Sequence, residues 1–564
     1  MGQLVPVREL GSIGVVTDIR PASLPIPAFT RAKNVRFTEG KISRSPLFRE
    51  IQLLNVDPRF VFSIPSNSQN TFSSIVIVTK NYYIFKYTGS STLTDITGSS
   101  ISTTLSSDLV FTAASLADVL YINREDKVPS YMAHGGSTFE ALPNFGATDS
   151  SNNPIQWRAK AIRSYGDFLI ALNMDEGGTQ HTSRVRFSTP ALSNATPATW
   201  DEGDTTASAG FNDLVQMKTG IVDGLSLENK FIIYSKDQVW LMEFVGGTFI
   251  HNFRKIFNDC GVINQNCIVE VEGVHYVFDH DDIYIHDTNI RQSICDQRVK
   301  RFIFDGLDTA QTSVCFVHHN VALNEILFCY VSNDDMADYL STNEYTSSDY
   351  ERRCNRAAVY NYRSETWSFV DLPNVSSATN GRVDSSETYA SIDSTVSYSS
   401  FGGTYNTQGS GYNSHEMFVG SNLPHTDSTQ RITQATLYGL DLSSEGSLLS
   451  SPISVEGNRS PFIERQGIDL DELSSISGYK VINKVVPQIE VSDANKNFTF
   501  SFGSSDFING TPTYSSSITF DSGTNHKIDT RVAGRYLSYK MTVDDTKDFD
   551  FLGFDFDVLT TGRR

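Results

Sequence analysis

Short apolar runs rich in Val, Ile, Phe, Tyr and Trp alternate with brief clusters of Asp, Asn, Ser and Gly from near Phe60 almost to the C-terminus. The pattern is densest between Asn229 and Asp287. There FIIY, the polar turn SKDQ and VWLMEF read as one antiparallel hairpin, and VHYVF, DHD and DIYIHD read as a second. Two such hairpins in succession predict a sheet unit that recurs. The same alternation is present in SSIVIVTKNYYIFKYTG, which turns at Lys80-Asn81, and in DLVFTAASLADVLYINRED. AKAIRSYGDFLIALNMDEG with SRVRFSTPA, SVCFVHHNVALNEILFCYVS and RAAVYNYRSETWSFVDLP repeat it again. In the last of these, Tyr360, Tyr362 and Trp367 have the spacing of kelch-type propeller strands and are candidate packing residues.

No long run with period 3.6 interrupts the strands, which argues against α/β folds that need a helix after nearly every parallel strand. The predicted class is all-β. Residues 56–450 are expected to form a β-propeller-like body of about six blades. Residues 1–55 read as an extended segment, held out of helix by Pro21, Pro25 and Pro27, followed by a hairpin (NVRF, Glu39-Gly40, KISRS) that serves as an assembly arm. Residues 451–564 carry longer alternating strands such as YKVINKVVPQIEV and FDFLGFDFDVL, and read as a C-terminal antiparallel domain, sandwich or barrel-like. Polar stretches near 332–355 and 374–440 read as insertions, although TYASI, MFVGS and ATLYGLDL in and beside the second can complete a final blade.

Composition adds a charge asymmetry. The chain has 564 residues and a formal net charge of −20, which argues against a surface that grips nucleic acid throughout. Residues 1–50 nevertheless hold eight Lys and Arg (Arg8, Arg20, Arg31, Lys33, Arg36, Lys41, Arg44, Arg49) against four Asp and Glu. This basic segment on an acidic body is either an attachment arm or a solvated stretch. The six cysteines (Cys260, Cys267, Cys295, Cys315, Cys329, Cys354) show no zinc-ligand spacing. Several lie in apolar runs, as reduced core thiols would, implying assembly in a reducing cytoplasm. No apolar run approaches the ~18 residues needed to span a bilayer, and no export signal is expected.

Candidate chemistry is sparse. Asp279, Asp281 and Asp282 crowd around His280, with His286 and Asp287 nearby, a pattern open to a Ca²⁺ loop, an acid/base site or a plain hairpin turn. His318-His319 lacks a third ligand at metal spacing. No G-x-S-x-G elbow or phosphate-binding Gly loop is present, and SETWSF lacks the Asp and Gly of a sialidase turn. No cofactor, no metal site and no catalytic residue is expected.

Three phrases carry a family resemblance. The first is the N-terminal order Gly11, Gly14, Asp18, Pro21, Pro25, Asn34, Val35, Gly40, Arg44, Pro46. The second runs in the middle through RVRFSTPALSNATPATWDEG, the Asn229–Asp287 hairpins, the Cys260-Gly261 turn and QRVKRFI. The third is the close, with Gly534, Arg535, Tyr536, Gly562 and Arg563. In this order they resemble the tail nozzle proteins (tail tubular protein B) of short-tailed bacteriophages. The resemblance implies a virion tail protein assembled in the host cytoplasm, a homohexameric ring continuing the DNA ejection channel below the portal and adaptor. Its implied partners are further copies of itself, the portal-adaptor protein, tail fibre or spike proteins, and genomic double-stranded DNA passing non-specifically; no membrane span is expected. Arg31, Lys33, Arg36, Lys41, Arg44, Arg535 and Arg563 are the assembly-interface candidates. Because duplex DNA carries one charge per ~1.7 Å of axis, an acidic channel wall would let it slide where a cationic one would hold it. The alternative is a tail-associated glycan-degrading enzyme on a propeller scaffold, since phage tails carry such enzymes and carboxylates are abundant; a kelch-like binding module with no viral context stands behind it.

Overall fold

The structure is a computed structural model that describes residues 3–64, 74–87, 92–104, 109–148, 151, 154–203, 207–247, 250–333, 353–381, 415–420, 435–441, 460–470, 478–491, 497–508, 510–543 and 549–560. Within them the regular secondary structure is almost wholly strand, with one short α-helix, Lys300–Gly306. The expected hairpins of the densest stretch form Lys230–Ser235 with Gln238–Phe244, and Val274–Phe278 with Ile283–His286. Short turns set their registers. Glu272 and Gly273 both take positive φ (53° and 77°) in the two-residue turn that lets Val271 face Val274, a geometry matched to strand twist.

Six sheets follow one another in sequence. The first contains Pro58–Ile64, Ser74–Thr79, Ile84–Tyr87 and Thr94–Asp95; the second, Phe111–Leu116, Val119–Arg124, Ser130–Ala133 and Glu140–Ala141. The third runs from Gly146–Thr148 through Pro154–Tyr165, Phe168–Glu176 and Thr179–Phe187 to Gly210–Asp213. The fourth and fifth are the meanders Ile221–Leu227 to His251–Asn258 and Ile268–Val271 to Arg291–Ser293. The sixth begins with Phe316–Asn320, Glu325–Tyr330 and Cys354–Asn361, then passes through the long strand Thr366–Gly381 to His415–Gly420, Ala435–Asp441 and, from the other end of the chain, Leu47–Leu54. Its far half is a four-stranded array in its own right. Thus MFVGS and ATLYGLDL do enter a closing array, with its outer strand supplied by residues 47–54. TYASI and most of the polar stretch 332–355 lie outside the described residues.

Why the strands read as unbroken apolar runs is visible in their packing. Successive side chains of a strand point to opposite faces, and here both faces are covered. In Lys230–Ser235, Phe231 and Ile233 join a core shared with the third sheet through Phe168, Ile170 and Val185, whereas Ile232 and Tyr234 join one shared with the fifth through Val277 and Phe278. The rule repeats around the body. Val76 and Val78 meet Leu120 and Ile122; Val119 and Tyr121 meet Leu169 and Ala171; Leu327 and Cys329 meet Phe48, Val375 and Tyr438; Leu437 meets Ile75 and Ile77. Each sheet is therefore sandwiched between its predecessor and its successor, and the last core returns to the first sheet. That closed succession is a β-propeller-like body.

The two chain ends build a second unit. One sheet places Lys480–Val491, Ile528–Gly534 and Phe549–Thr560 with the N-terminal strands Gln3–Val7, Val35–Thr38 and Lys41–Arg44. The facing sheet joins Phe462–Ile468, Asn497–Ser505 and Tyr536–Val543 to Arg31–Lys33. Between them lies an aromatic core in which Phe554 meets Tyr539 at 4.9 Å and Phe500 at 5.8 Å between ring centroids. This core is continuous with that of the fourth to sixth sheets. Trp367, fully buried, stacks beside Tyr360 at 4.9 Å and donates from Nε1 to the Ile294 carbonyl. Among the described residues no helix is long and apolar enough to cross a membrane.

Candidate functional site

The basic residues expected to face neighbouring subunits are mostly engaged inside the chain. Arg36 Nε donates to Glu325 Oε1 at 2.6 Å, joining the N-terminal hairpin to the sixth sheet. Lys33 lies 3.6 Å from Asp371, and Lys41 Nζ donates to Asp550 on the last strand at 2.9 Å. Arg44 is buried, Arg31 pairs in register with Glu464, and Arg535 stands exposed beside the Tyr536 ring. Arg563 lies outside the described residues. Burial holds the Glu325 carboxyl above its usual range, opposed by the charge and hydrogen bond of Arg36. Joint replacement of Arg31, Lys33, Arg36 and Arg44 by alanine should therefore destabilise the isolated fold as well as any assembly. Arg36→Ala alone leaves Glu325 buried without its cation, at a cost of about 3 kcal/mol, the low end for a broken buried pair. Urea denaturation checks this against Arg535→Ala, which should stay within about 0.5 kcal/mol of the parent.

The acidic stretch Asp279–Asp282 is a hairpin turn, yet two of its carboxylates face inward. Asp279 Oδ1 and Oδ2 accept from the backbone N–H groups of His280 and Gly261 at 2.7 and 2.8 Å, and burial holds its carboxyl above the usual range. Asp282 accepts from Ser293 Oγ at 2.6 Å and from Arg291 Nη2 at 3.0 Å. His280 and Asp281 are exposed. These groups brace the turn. Among the described residues no cluster of three His, Cys, Asp or Glu is arranged to hold a metal.

His286, the other member of that acidic neighbourhood, belongs instead to a buried chain. Its Nδ1 accepts from the Thr288 N–H at 3.2 Å, so the ring proton sits on Nε2 and is donated to Tyr234 Oη at 2.5 Å. Tyr234 in turn donates to His275 Nδ1 at 2.7 Å, and His275 Nε2 donates to the Ser226 carbonyl at 2.9 Å. Every group is satisfied with both imidazoles neutral. Burial accordingly pushes His275 down to about 4 and His286 down to about 3.

The feature with the geometry of a ligand site lies on the axis of the body. A cavity of about 260 Å³ is lined by residues from or beside strands of all six sheets, among them Phe60, Phe111, Arg163, Asp223, Asn266 and Val317. Arg163 forms a fork with Asp223, Nε to Oδ1 at 2.9 Å and Nη2 to Oδ2 at 2.7 Å. It also donates to Asn266 Oδ1 at 2.9 Å and to the Ala113 carbonyl at 3.1 Å. Asn266 completes the network, its N–H donating to Asp223 Oδ2 and its Nδ2 to the Phe111 carbonyl. Four consecutive sheets thus meet in one polar cluster. Sequence reasoning passed over it. The available signal was a charged residue interrupting a strand whose neighbours are apolar on both faces, as in AIRSY and GIVDGLSL.

No protein family and no curated protein matches this sequence. Among solved structures the chain is similar to YCF48 bound to D1 peptide, at 10% identity over 70% of this chain and 97% of that one, with a TM-score of 0.34. It is also similar to the WD40 repeats of RRP9, at 8% identity over 71% and 99% with a TM-score of 0.35. BBS1N in complex with ARL6DN matches at 8% identity over 71% and 98%, with a TM-score of 0.37.

Proposed function

We propose that this chain is a structural subunit of a bacteriophage tail, a nozzle subunit that forms a ring with copies of itself and continues the DNA ejection channel below the portal and adaptor. The reading rests on the ordered resemblance of its N-terminal, central and C-terminal phrases to that family. The observation that supports a scaffold over a glycan-degrading enzyme is the use made of buried carboxylates. Glycoside hydrolysis needs two carboxyl groups flanking a substrate cleft, about 5–9.5 Å apart. Here Asp223, Asp282 and Glu325 are each held by an arginine, and Glu464 lies 3.4 Å from Lys540 and accepts from Tyr514 Oη at 2.6 Å. Such pairs fix one sheet against another. In the ring, part of the acidic excess faces the channel, where it repels phosphate at short range and leaves the duplex free to slide; loops on the outer surface receive fibres or spikes.

Native mass spectrometry of the purified chain, mixed with its portal-adaptor partner, is the decisive measurement. The expected particle contains six copies of the chain, alone or together with the partner ring. A monomer that releases reducing ends from host surface polysaccharide would overturn the reading in favour of the enzyme. A uniformly basic lumen in the assembled ring would remove the sliding argument.

A further inference from the structure

The basic N-terminal hairpin is largely engaged in ties within the chain, which leaves contacts between copies to other surfaces. One of these lies at an end of the propeller-like body. Alternate turns of an antiparallel meander fall at the same end of its sheet, and here such turns touch from sheet to sheet. Tyr165 Oη donates to the Asn229 carbonyl at 2.8 Å, the Phe168 ring meets Phe244 at 5.7 Å, and Lys230 Nζ donates to Thr288 Oγ1 at 3.3 Å. The Ala191 N–H donates to the Asp167 carbonyl at 2.8 Å, which brings Leu192 to the same end. Leu192, Phe244, Val245 and Ile290 stand there with most of their surface in water, at 76%, 57%, 54% and 69% exposure. Phe244 and Val245 are fixed in place, their N–H groups donating to Tyr165 Oη at 3.1 Å and to the Ile250 carbonyl at 3.0 Å. Around them Asp167, Glu228 and Asp287 are exposed, with no salt-bridge partner among the described residues.

A second apolar surface, on the C-terminal unit, carries the opposite charge. The turn after Asn497–Ser505 points Phe507 and Ile508 outward, at 77% and 57% exposure. Ser505 Oγ donates to the Phe507 carbonyl at 2.8 Å and accepts from the Phe507 N–H at 3.2 Å, and the Gly510 N–H donates to the same carbonyl at 3.0 Å. The tip is therefore shaped before it meets anything. Ser505 faces Tyr536 in register and Ser504 Oγ donates to the Ala533 carbonyl at 2.8 Å, which sets Arg535 beside the tip and Arg531 a short way along the adjoining strand. Both arginines are exposed and neither has a salt-bridge partner among the described residues; the tip itself carries one carboxylate, Asp506. Contiguous exposed apolar groups of this kind mark interaction sites. A rigid apolar anchor seated on an apolar surface, with opposite charges around it, is how binding energy and specificity are divided at an interface.

We propose that the Phe507–Ile508 tip of one copy docks on the Leu192, Phe244, Val245 and Ile290 surface of the next, with Arg531 and Arg535 meeting the carboxylates around it. Two different surfaces of one chain that complement each other make a head-to-tail contact, and such contacts close into a ring when the rotation between copies permits. The contact rests on the reading of the chain as a ring-forming subunit and names the surfaces that build the ring.

The test uses two double variants of the full chain. Phe507→Ser with Ile508→Ser removes the tip, and Val245→Asp with Ile290→Asp spoils the surface that receives it. All four positions are exposed, so both variants should keep Tm within about 2 °C of the parent. Under conditions in which native mass spectrometry shows the parent as six-copy particles, neither variant alone should form them. A 1:1 mixture should give heterodimers and nothing larger, because one chain keeps the surface and the other keeps the tip. Six-copy particles from either variant, or a mixture without heterodimers, overturn the contact and leave the ring reading standing. A parent chain that never associates, with or without its portal-adaptor partner, overturns both. Should either variant fail to fold, p-benzoylphenylalanine in place of Phe507 in the otherwise unaltered chain decides the matter. Photo-crosslinks to Leu192 or to the Phe244–Val245 or Asp287–Ile290 turns of another copy support the contact; crosslinks only elsewhere, or none, overturn it.

Discussion

Asp223→Ala is expected to lower the stability of the body by about 3–5 kcal/mol, because it strands Arg163 as an uncompensated cation among buried groups. The side chain of Asp223 is 2% exposed and accepts both arms of the Arg163 fork, the Asn266 N–H at 2.9 Å and the Gly224 N–H at 2.8 Å. Its removal cuts the polar link from the fourth sheet to the third and the fifth at the axis. Asp223→Asn keeps the volume and one acceptor, and should cost less. A double-mutant cycle with Arg163→Ala, read by urea denaturation, should give a coupling of at least 1 kcal/mol, since the two groups share one network. A loss below 1 kcal/mol for the single variant would mean that the sheets are aligned by their apolar faces alone.

Acid should unfold this protein well above the pH at which its surface carboxylates titrate. His275, His286 and His251 are held neutral by burial, at about 4, about 3 and about 4. His251 sits among the rings of Phe187, Phe168 and Phe244, at 4.5, 4.9 and 5.8 Å between centroids, and neither of its nitrogens has a hydrogen-bond partner among the described residues. In the unfolded chain each histidine takes a proton near pH 6.5. Between that pH and about 4 the unfolded state therefore binds more protons than the folded one, and stability falls as pH falls. Each histidine contributes a slope of up to about 1.4 kcal/mol per pH unit, so the three together approach about 4. Asp279 and Glu325, whose carboxyls are raised by burial, work in the opposite direction at the acid end of the window. Urea midpoints at pH 7.5, 6 and 5 measure the slope. His251→Phe should remove about a third of it while holding stability at pH 7.5, because an aromatic ring without a titrating nitrogen suits that box. An unchanged slope in this variant would show that His251 charges in the folded state.

Period and composition sufficed to place the strands. Runs such as FIIY and SIVIV carry apolar residues on both faces and need cover on both; with no helical period in the sequence to supply it, stacked sheets are the packing to expect. Of the aromatic set Tyr360, Tyr362 and Trp367, Tyr360 and Trp367 are buried as expected of large rings in a strand with no solvent face, while Tyr362 packs half-buried beside Tyr276. Asp279–Asp282 was legible as a turn, because Asp satisfies the free N–H groups of a hairpin. Which of its carboxylates turned inward was not, because that depends on Arg291 and Ser293, donors brought up by the following strand.

Other features needed the folded chain because they join residues that are distant in sequence. The closing array pairs residues 47–54 with 435–441, and the C-terminal sandwich takes strands from both ends. Local pattern carries no information on such pairings, for a strand's propensity is the same whichever edge it completes. The basic N-terminal hairpin shows the consequence. By charge alone Arg36 and Lys41 resemble a free attachment surface, and only the partners Glu325 and Asp550, hundreds of residues away, turn them into internal ties. The axial cluster is the extreme case, since Arg163, Asp223 and Asn266 become neighbours only when the sheets close into a ring. Sequence determined the strands, their two-faced burial and the stacked-sheet class; tertiary structure decided the closure and the charged axis, because both are set by long-range contacts whose partners no local period can name.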